Sequence, residues 1–371
     1  MKIAVCAGEE SGDALGHELL VDLKKNHDNI EFIGVGGSLM ESEGLKSFFP
    51  IKEISYMGLI DPLLNLRKIL KIRKNFINFL KKENPDVFIG IDSPSFNSGI
   101  CKVLRRDTNI KTVQYVCPQF WAWRYKRVFK FNSLYHRVLS LFPFESTLLK
   151  KHDVNFSYVG HPLAKNLSND LNEQKLRKNF GIPLEKKIVA ILPGSRKSEI
   201  YHHSKPLADF ISKYKKENSD VEIIVALNKE SDLQGELNEL SKKINVIYSS
   251  SQKVLAICDL AIVASGTATL EAAILAKPMV VIYKSNKLSN FILSNFFLKT
   301  KFISLPNILS QEKVVFELRQ NQVTGQEISE KVDLTFKNQQ DISYKLSRIR
   351  DSLLVTDSNK FSNALKEILA K

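Results

Sequence analysis

Short β-branched apolar runs alternate along this chain with longer stretches whose apolar positions recur at helical spacing. The runs predict strands at 3–7, 31–35, 87–91, 111–116, 137–142, 156–159, 188–192, 221–227, 245–248, 260–264 and 279–283. Helical patterns lie between nearly every pair, which argues for βαβ units and parallel sheets. Two groups of strands are separated by Gly160-His161-Pro162 and the polar stretch from Asn166 to Lys178, a candidate linker near 161–172. After residue 325 only helical patterns remain. The chain, 371 residues long, exceeds what one core usually supports. The expected α/β architecture is two doubly wound, Rossmann-like domains facing each other across a cleft. Residues 1–165 and 166–340 would form the domains, and the helices of 341–371 would pack back on the first.

One helical stretch departs from a single apolar stripe. From Tyr56 to Leu80, Leu59, Ile60, Leu63, Leu64, Leu66, Ile69, Leu70, Ile72, Phe76 and Ile77 spread over more than one face, interleaved with Arg67, Lys68, Lys71, Arg73 and Lys74. A core-facing helix with a basic back explains much of this. The surplus leucines also suit a helix lying on a membrane surface.

Composition narrows the partners. Hydrophobic content of 43% and charged content of 25% are those of a soluble globular protein. The excess of 54 Lys+Arg over 40 Asp+Glu, a net +14, favours an anionic partner: a phosphorylated ligand, an acidic lipid surface or nucleic acid. The basic residues are dispersed and no nucleic-acid motif occurs, which disfavours the last. Cys6, Cys101, Cys117 and Cys258 form no close-spaced pair and lie in or beside apolar runs, so they read as reduced thiols of a cytosolic protein. The strand starting at Ile3 leaves no room for a signal peptide. The most apolar region, Leu255 to Tyr283, is interrupted by Asp259, Glu271 and Pro278 and does not read as a spanning helix.

Ligands of open α/β sheets sit beyond the carboxyl ends of the strands, so the strand-end loops are the candidates for chemistry. The run Val87 to Ile91 ends in Asp92-Ser93-Pro94, placing one carboxylate there, although Asp before Ser-Pro is equally a common turn former. The first strand runs into Ala7-Gly8-Glu9-Glu10-Ser11-Gly12-Asp13, whose glycine spacing is not the dinucleotide fingerprint. Ser11 or Asp13 as a helix cap is the plainer account of it. Strand 188–192 ends in Pro193-Gly194-Ser195-Arg196; the guanidinium suits a phosphate oxygen, with a surface pair to Glu199 as the alternative. Strand 260–264 runs into Ser265-Gly266-Thr267, where unpaired N–H groups would face a diphosphate. Glu271, one turn on, can accept from the two hydroxyls of a ribose, with a helix start capped by Thr267 and a solvated Glu271 as the alternative. Both tryptophans, Trp121 and Trp123, sit in a single strand-end loop with Arg124 beside them, either packed or lining a pocket.

In this order these loops resemble the lipid-A-disaccharide synthase family, inverting glycosyltransferases of GT-B architecture. The resemblance is carried by Gly8-Glu9…Ser11-Gly12-Asp13, Met57-Gly58, Gly90-Ile91-Asp92…Pro94…Phe96-Asn97, Trp121-Ala122-Trp123-Arg124, Pro143-Phe144-Glu145, Leu192 to Arg196, Ser265-Gly266-Thr267 and Ser304-Leu305-Pro306-Asn307, over roughly residues 3–320. Glu10, Ser95, Cys117 and Phe316 depart from the family pattern, and Ser95 leaves Asp92 as the only acid in its loop. The resemblance implies transfer of 2,3-diacylglucosamine from UDP-2,3-diacylglucosamine to 2,3-diacylglucosamine 1-phosphate, giving a β-1,6-linked disaccharide phosphate and UDP. It also implies an acceptor site in the first domain, a nucleotide site in the second, and a peripheral enzyme on the cytoplasmic face of the inner membrane of a Gram-negative bacterium, with a homodimer as one possible assembly.

On this reading Asp92 is the general base and Arg196 stabilises the leaving UDP, with Ser11 beside them. Gly194, Ser195, Arg196, Ser265, Gly266, Thr267, Glu271 and Asn307 bind the nucleotide sugar. Met57, Leu63, Leu66, Ile69, Leu70, Trp121, Trp123 and Arg124 meet the acceptor or the membrane. No Asp-x-Asp motif occurs, so no metal or other cofactor is expected. The alternatives are another GT-B enzyme of UDP-sugars, such as an N-acetylglucosaminyl transferase or an epimerase, and a non-enzymatic basic protein binding RNA or membrane.

Overall fold

The computed structural model describes residues 1–55, 65–121, 124–167, 171–285 and 301–369. The chain divides into two compact units, Met1–Pro162 with Val355–Lys371, and Leu163–Leu354. In the first, seven parallel strands run β1 Lys2–Ala7, β2 Glu31–Val35, β3 Lys46–Ser47, β4 Val87–Ile91, β5 Lys111–Tyr115, β6 Arg137–Ser140 and β7 Phe156–Tyr158. Their order is β3-β2-β1-β4-β5-β6-β7, so the chain reverses direction across the sheet between β1 and β4. The register sets Ala7 against Ile91 and Ile91 against Tyr115, which brings three strand ends level beside Asp92.

The second unit has six parallel strands: β8 Lys187–Leu192, β9 Val221–Leu227, β10 Asn245–Tyr248, β11 Leu260–Ala264, β12 Met279–Tyr283 and β13 Phe316–Arg319. Their order, β10-β9-β8-β11-β12-β13, repeats the reversal between β8 and β11. The central strands are buried on both faces, as at Ile3 to Ala7 and Leu260 to Ala264, which is why they are apolar without alternation.

All eleven predicted strands are present, and two more among the described residues were not foreseen. Strand β3 is only two residues long and β13 carries Glu317 and Arg319, so neither makes a conspicuous apolar run. The chain ends in helices Gly325–Lys337, Gln339–Leu353 and Lys360–Leu369. Gln339–Leu353 belongs to the second unit, so the return to the first begins at Val355 and not near 341. The returning helix lays Phe361 edge-on to Tyr115, ring centroids 5.2 Å apart, and its Ser362 amide donates to Asp22.

The stretch from Tyr56 to Leu80 is described only from Asn65 onward; Met57 and Leu63 lie outside the described residues. Helix Leu66–Glu83 changes character along its length. Phe76, Ile77 and Leu80 are in the core, whereas Leu66 and Leu70 are 49% and 42% exposed. The core-helix account holds for its second half and for Ile69 and Ile72 in its first, which pack against the same core. Ile69 therefore faces the core and not the acceptor or membrane, and only Leu66 and Leu70 are left outward. No helix among the described residues is long and apolar enough to cross a membrane. All four cysteines are buried and unpaired.

Candidate functional site

In the second unit the carboxyl ends of β8, β9, β10 and β11 surround a cavity of about 310 Å³. That lies at the lower end of the roughly 300–1,000 Å³ typical of ligand pockets. Beyond β8, Gly194 has φ 128°, and a Cβ there would run into the Glu199 side chain. The Ser195 N–H donates to Glu199 Oε2 at 3.2 Å, so Glu199 faces its own helix start instead of solvent. His203, wholly buried on the same helix (Lys197–Glu217), joins two strand-end loops. Its Nδ1 lies 2.7 Å from the Pro193 carbonyl and its Nε2 accepts the Lys284 N–H at 3.0 Å. That pattern requires a neutral ring with the proton on Nδ1, and burial lowers its pKa accordingly.

Across the cavity, β11 gives way to Ser265 and Gly266, then helix Thr267–Ile274. A Cβ on Gly266 would meet no atom within 4 Å. The glycine therefore answers no packing demand; it leaves room for something to approach the backbone. The first N–H groups of a helix lack intrahelical acceptors and favour anions. Here, among the described residues, only the Thr269 amide is already engaged, with the Gly266 carbonyl. Glu271, 9% exposed, lines the cavity one turn in. It accepts from Ser251 Oγ at 2.5 Å and Gln252 Nε2 at 3.2 Å. Each carboxylate oxygen thus keeps a lone pair for a ligand hydroxyl, on a carboxylate already fixed in place. Bare N–H groups beside a fixed carboxylate are what a nucleoside diphosphate needs for its phosphates and ribose.

Not every expected residue is in this cavity. Gly194, Ser195, Ser265, Gly266, Thr267 and Glu271 line it; Arg196 does not, and stands exposed at the start of its helix. Asn307 is corrected outright. It is fully buried, its Nδ2 donates to Val315 O and Glu317 Oε1, and its Oδ1 accepts from the Val314 and Val315 amides. With its amide saturated, Asn307 shapes the loop and offers nothing to a ligand. Asn228, Ser249 and Ser251 line the cavity without having been foreseen. Each follows a strand, β9 or β10, so the strand-end rule applied to every strand would have found them.

In the first unit Asp92 follows β4 with φ 48°, and Ser93 follows with φ 40°. The Asp92 amide donates to Tyr115 O at 2.9 Å. Burial raises its carboxyl pKa above the ordinary range, opposed only by the Ser93 amide. A desolvated carboxylate with few donors around it is a better proton acceptor than one in water. The loop after β1 stands against it: a Cβ on Gly8 would strike the Ser93 side chain, and the Gly8 carbonyl accepts Ser55 Oγ at 2.6 Å. Ser11 is exposed in the first turn of helix Glu10–Asn26. Asp13 is buried and accepts from the Gly37, Leu39 and Met40 amides, so it caps helix Ser38–Ser42 and not its own.

Trp121 packs edge-on to Phe144, ring centroids 5.0 Å apart, and its Nε1 donates to Glu145 at 3.5 Å. Glu145 is 2% exposed, and burial pushes its pKa up to about 8. Arg124 is exposed at φ 55°; Trp123 lies outside the described residues. Among the described residues no cluster of three or more His, Cys, Asp or Glu has the geometry to hold a metal ion.

The model of the lipid-A-disaccharide synthetase family matches residues 3–371. A lipid-A-disaccharide synthase of Pseudomonas fluorescens (strain Pf-5) is 37% identical over 374 residues, covering 100% of this chain and 99% of that protein. Among solved structures, a glycosyltransferase from Rickettsia africae superposes with TM-score 0.56 at 15% identity, over 100% of this chain and 96% of that one. A UDP-GlcNAc 2-epimerase from Neisseria meningitidis, bound to UDP-GlcNAc, superposes with TM-score 0.62 at 12% identity, over 100% and 99%. The two structural likenesses concern the fold alone.

Proposed function

The chain belongs to the lipid-A-disaccharide synthase family, and we propose that within this glycosyltransferase Asp92 is the general base and the 310 Å³ cavity is the nucleotide site. The family's reaction joins UDP-2,3-diacylglucosamine to 2,3-diacylglucosamine 1-phosphate in a β-1,6 linkage and releases UDP. Two parallel-sheet α/β domains of GT-B type carry it.

Inversion needs in-line attack of the acceptor 6-hydroxyl on the donor's anomeric carbon. A sugar hydroxyl is a weak nucleophile at neutral pH, and a positioned base contributes on the order of 10²- to 10⁴-fold. The carrying observation is Asp92 itself: a desolvated carboxylate at the central strand end of its sheet, the only acid in its loop. As the C1–O bond to UDP breaks, the acceptor proton passes to Asp92. The charge on the diphosphate is met by the N–H groups after Gly266 and by Arg196, an exposed side chain free to swing onto a bound nucleotide. Glu271 orients the ribose. These groups supply leaving-group stabilisation without a metal ion.

The exposed start of helix Leu66–Glu83 fits a contact with lipid. Leu66 and Leu70 lie one turn apart among Arg67, Lys68, Lys71 and Lys74, an apolar strip edged with charge that suits an anionic bilayer surface. Peripheral attachment to the cytoplasmic face of the inner membrane follows from this reading.

Mass spectrometry of products from acylated and unacylated UDP-glucosamine donors tests the substrate assignment. Disaccharide phosphate from the diacylated donor alone is the expected result; turnover of UDP-GlcNAc to an epimer would overturn it. Co-sedimentation with anionic vesicles tests the surface: Leu66→Ser with Leu70→Ser should release the protein, and unchanged binding would refute the contact.

A further inference from the structure

Two side-chain amides beneath Asp92 have no part in binding or chemistry as described above, yet both are buried completely. Asn97 Nδ2 donates to the Asp92 carbonyl at 3.0 Å, and Gln114 Nε2 donates to the same oxygen at 3.0 Å. Each reaches further carbonyls: Asn97 those of Cys6 at 3.3 Å and Ile91 at 3.5 Å, Gln114 those of Tyr115 at 3.2 Å and Val116 at 3.4 Å. The carboxyl ends of β1, β4 and β5 therefore converge on two NH₂ groups.

Two of these five carbonyls, those of Asp92 and Val116, belong to residues in the left-handed region, and Ser93 follows Asp92 there. Asp92, Ser93 and Val116 have φ of 48°, 40° and 73°, none of them glycine. A β-branched residue such as Val116 is a genuine outlier there. Such conformations persist only where the surroundings over-determine them, and they gather at functional sites. Glycine at position 92 would relieve the strain and delete the carboxylate. The two amides do what glycine would do while keeping the side chain.

Their other atoms show which half of each amide matters. Asn97 Oδ1 and Gln114 Oε1 are buried with no partner among the described residues. Buried polar atoms are nearly always satisfied, so an orphan acceptor on each residue marks the donor as the reason for its presence. The orientation is fixed, since turning either amide over would set its oxygen against carbonyl oxygens. The site is also cleared for Asn97: a Cβ on Gly90 would collide with its side chain.

We propose that Asn97 and Gln114 are positioning residues for the transfer reaction, a pair of buried donors that hold Asp92 in its left-handed conformation and so aim its carboxylate at the acceptor hydroxyl. The inference rests on the reading of Asp92 as base. Both act through Asp92 and touch neither substrate.

The test is steady-state kinetics on the full chain with UDP-2,3-diacylglucosamine and 2,3-diacylglucosamine 1-phosphate, for wild type, Gln114→Met, Asp92→Asn and the double variant. Methionine keeps the volume and removes the donor. Displacing a reacting group by about an ångström costs roughly a hundredfold, so Gln114→Met should lower kcat about ten- to a hundredfold. The donor KM should stay within about twofold, because the nucleotide cavity lies in the other unit. In the Asp92→Asn background the same substitution should change kcat by less than about twofold. An equal loss in both backgrounds, or a Gln114→Met enzyme within about twofold of wild-type kcat, overturns the proposal. Failure of the base reading shows separately, as an Asp92→Asn enzyme of near-normal kcat. Should Gln114→Met be too unstable to assay, Gln114→Asn, which withdraws the amide by one methylene, carries the same comparison.

Discussion

The turns after β4 and after β11 occupy the same place in their two sheets, each beside the first strand of its unit at the point where strand order reverses. They are built in opposite ways. The first has no glycine and forces Asp92 and Ser93 into the left-handed region. The second turns through Gly266, whose φ of 163° is ordinary extended backbone with open space where a side chain would stand. On the proposed reading the difference follows from what each must present. A base needs its side chain, so the first turn accepts strain of about 1–3 kcal/mol per residue. A diphosphate is met by bare N–H groups, so the second turn dispenses with a side chain.

The bracing differs as well. Two amides grip Asp92 directly. The second turn is braced at a remove: Ser265 Oγ donates to Ile303 O at 2.9 Å, and the Ile303 amide is held by Glu317, which also accepts from Asn307.

The sharpest break of this comparison is Asp92→Asn. Turnover should fall about a thousandfold, within the 10²–10⁴ expected for a base, while UDP affinity by calorimetry stays unchanged. An active Asp92→Asn enzyme would make the first turn a passive bend like any other. The next effect is on stability. Asn307→Ala strands the donors and acceptors it now satisfies, each costing about 1–3 kcal/mol, so a loss of roughly 3 kcal/mol on thermal unfolding is expected. A stable variant with weakened UDP binding would return Asn307 to the ligand and undo the indirect brace. Gly266→Val should weaken UDP binding about tenfold by crowding the N–H groups, with the melting temperature held within about 2 °C. A falling melting temperature with intact affinity would make the glycine structural and erase the contrast.

How much of this could be read beforehand divides along the same line. The strands, the two sheets and the second turn were legible, because buried parallel strands are continuous apolar runs and Ser265-Gly266-Thr267 announces its break. The grip on Asp92 was not, since Asn97 and Gln114 are single polar letters whose burial depends on strands distant in sequence. Gln114 inside the run Lys111 to Tyr115 was the available signal: a polar residue in a doubly buried strand must find partners. Asn307 was placed in the nucleotide site by the family resemblance alone, and the structure instead saturates its amide with Glu317 and the nearby backbone of Val314 and Val315. Arg177, in the polar stretch that followed the candidate linker, is 4% exposed and donates to the carbonyls of Leu184, Lys186 and Ile257.

The smallest effect separates the turns by pH. Burial raises the Asp92 pKa above the ordinary value near 4. With Asp92 as the proposed base, activity needs the carboxylate, so the acid limb of kcat should lie above that value and vanish from the residual activity of Asp92→Asn. The stability consequence has the opposite direction. With its pKa raised on folding, the group binds more protons folded than unfolded between the two pKa values. Its contribution is fully present below the unfolded pKa and is lost as pH rises through the folded one. Asp92→Asn carries no such group, so its melting temperature should gain on wild type as pH rises through that window. A difference that stays constant with pH would mean that Asp92 is as solvated folded as unfolded. Gly266 has nothing to titrate, and Gly266→Val should track the wild-type pH profile of melting throughout. The turn that presents a side chain thus gives up stability where that side chain is ionised and, on the proposed reading, active, and the turn that presents backbone does not.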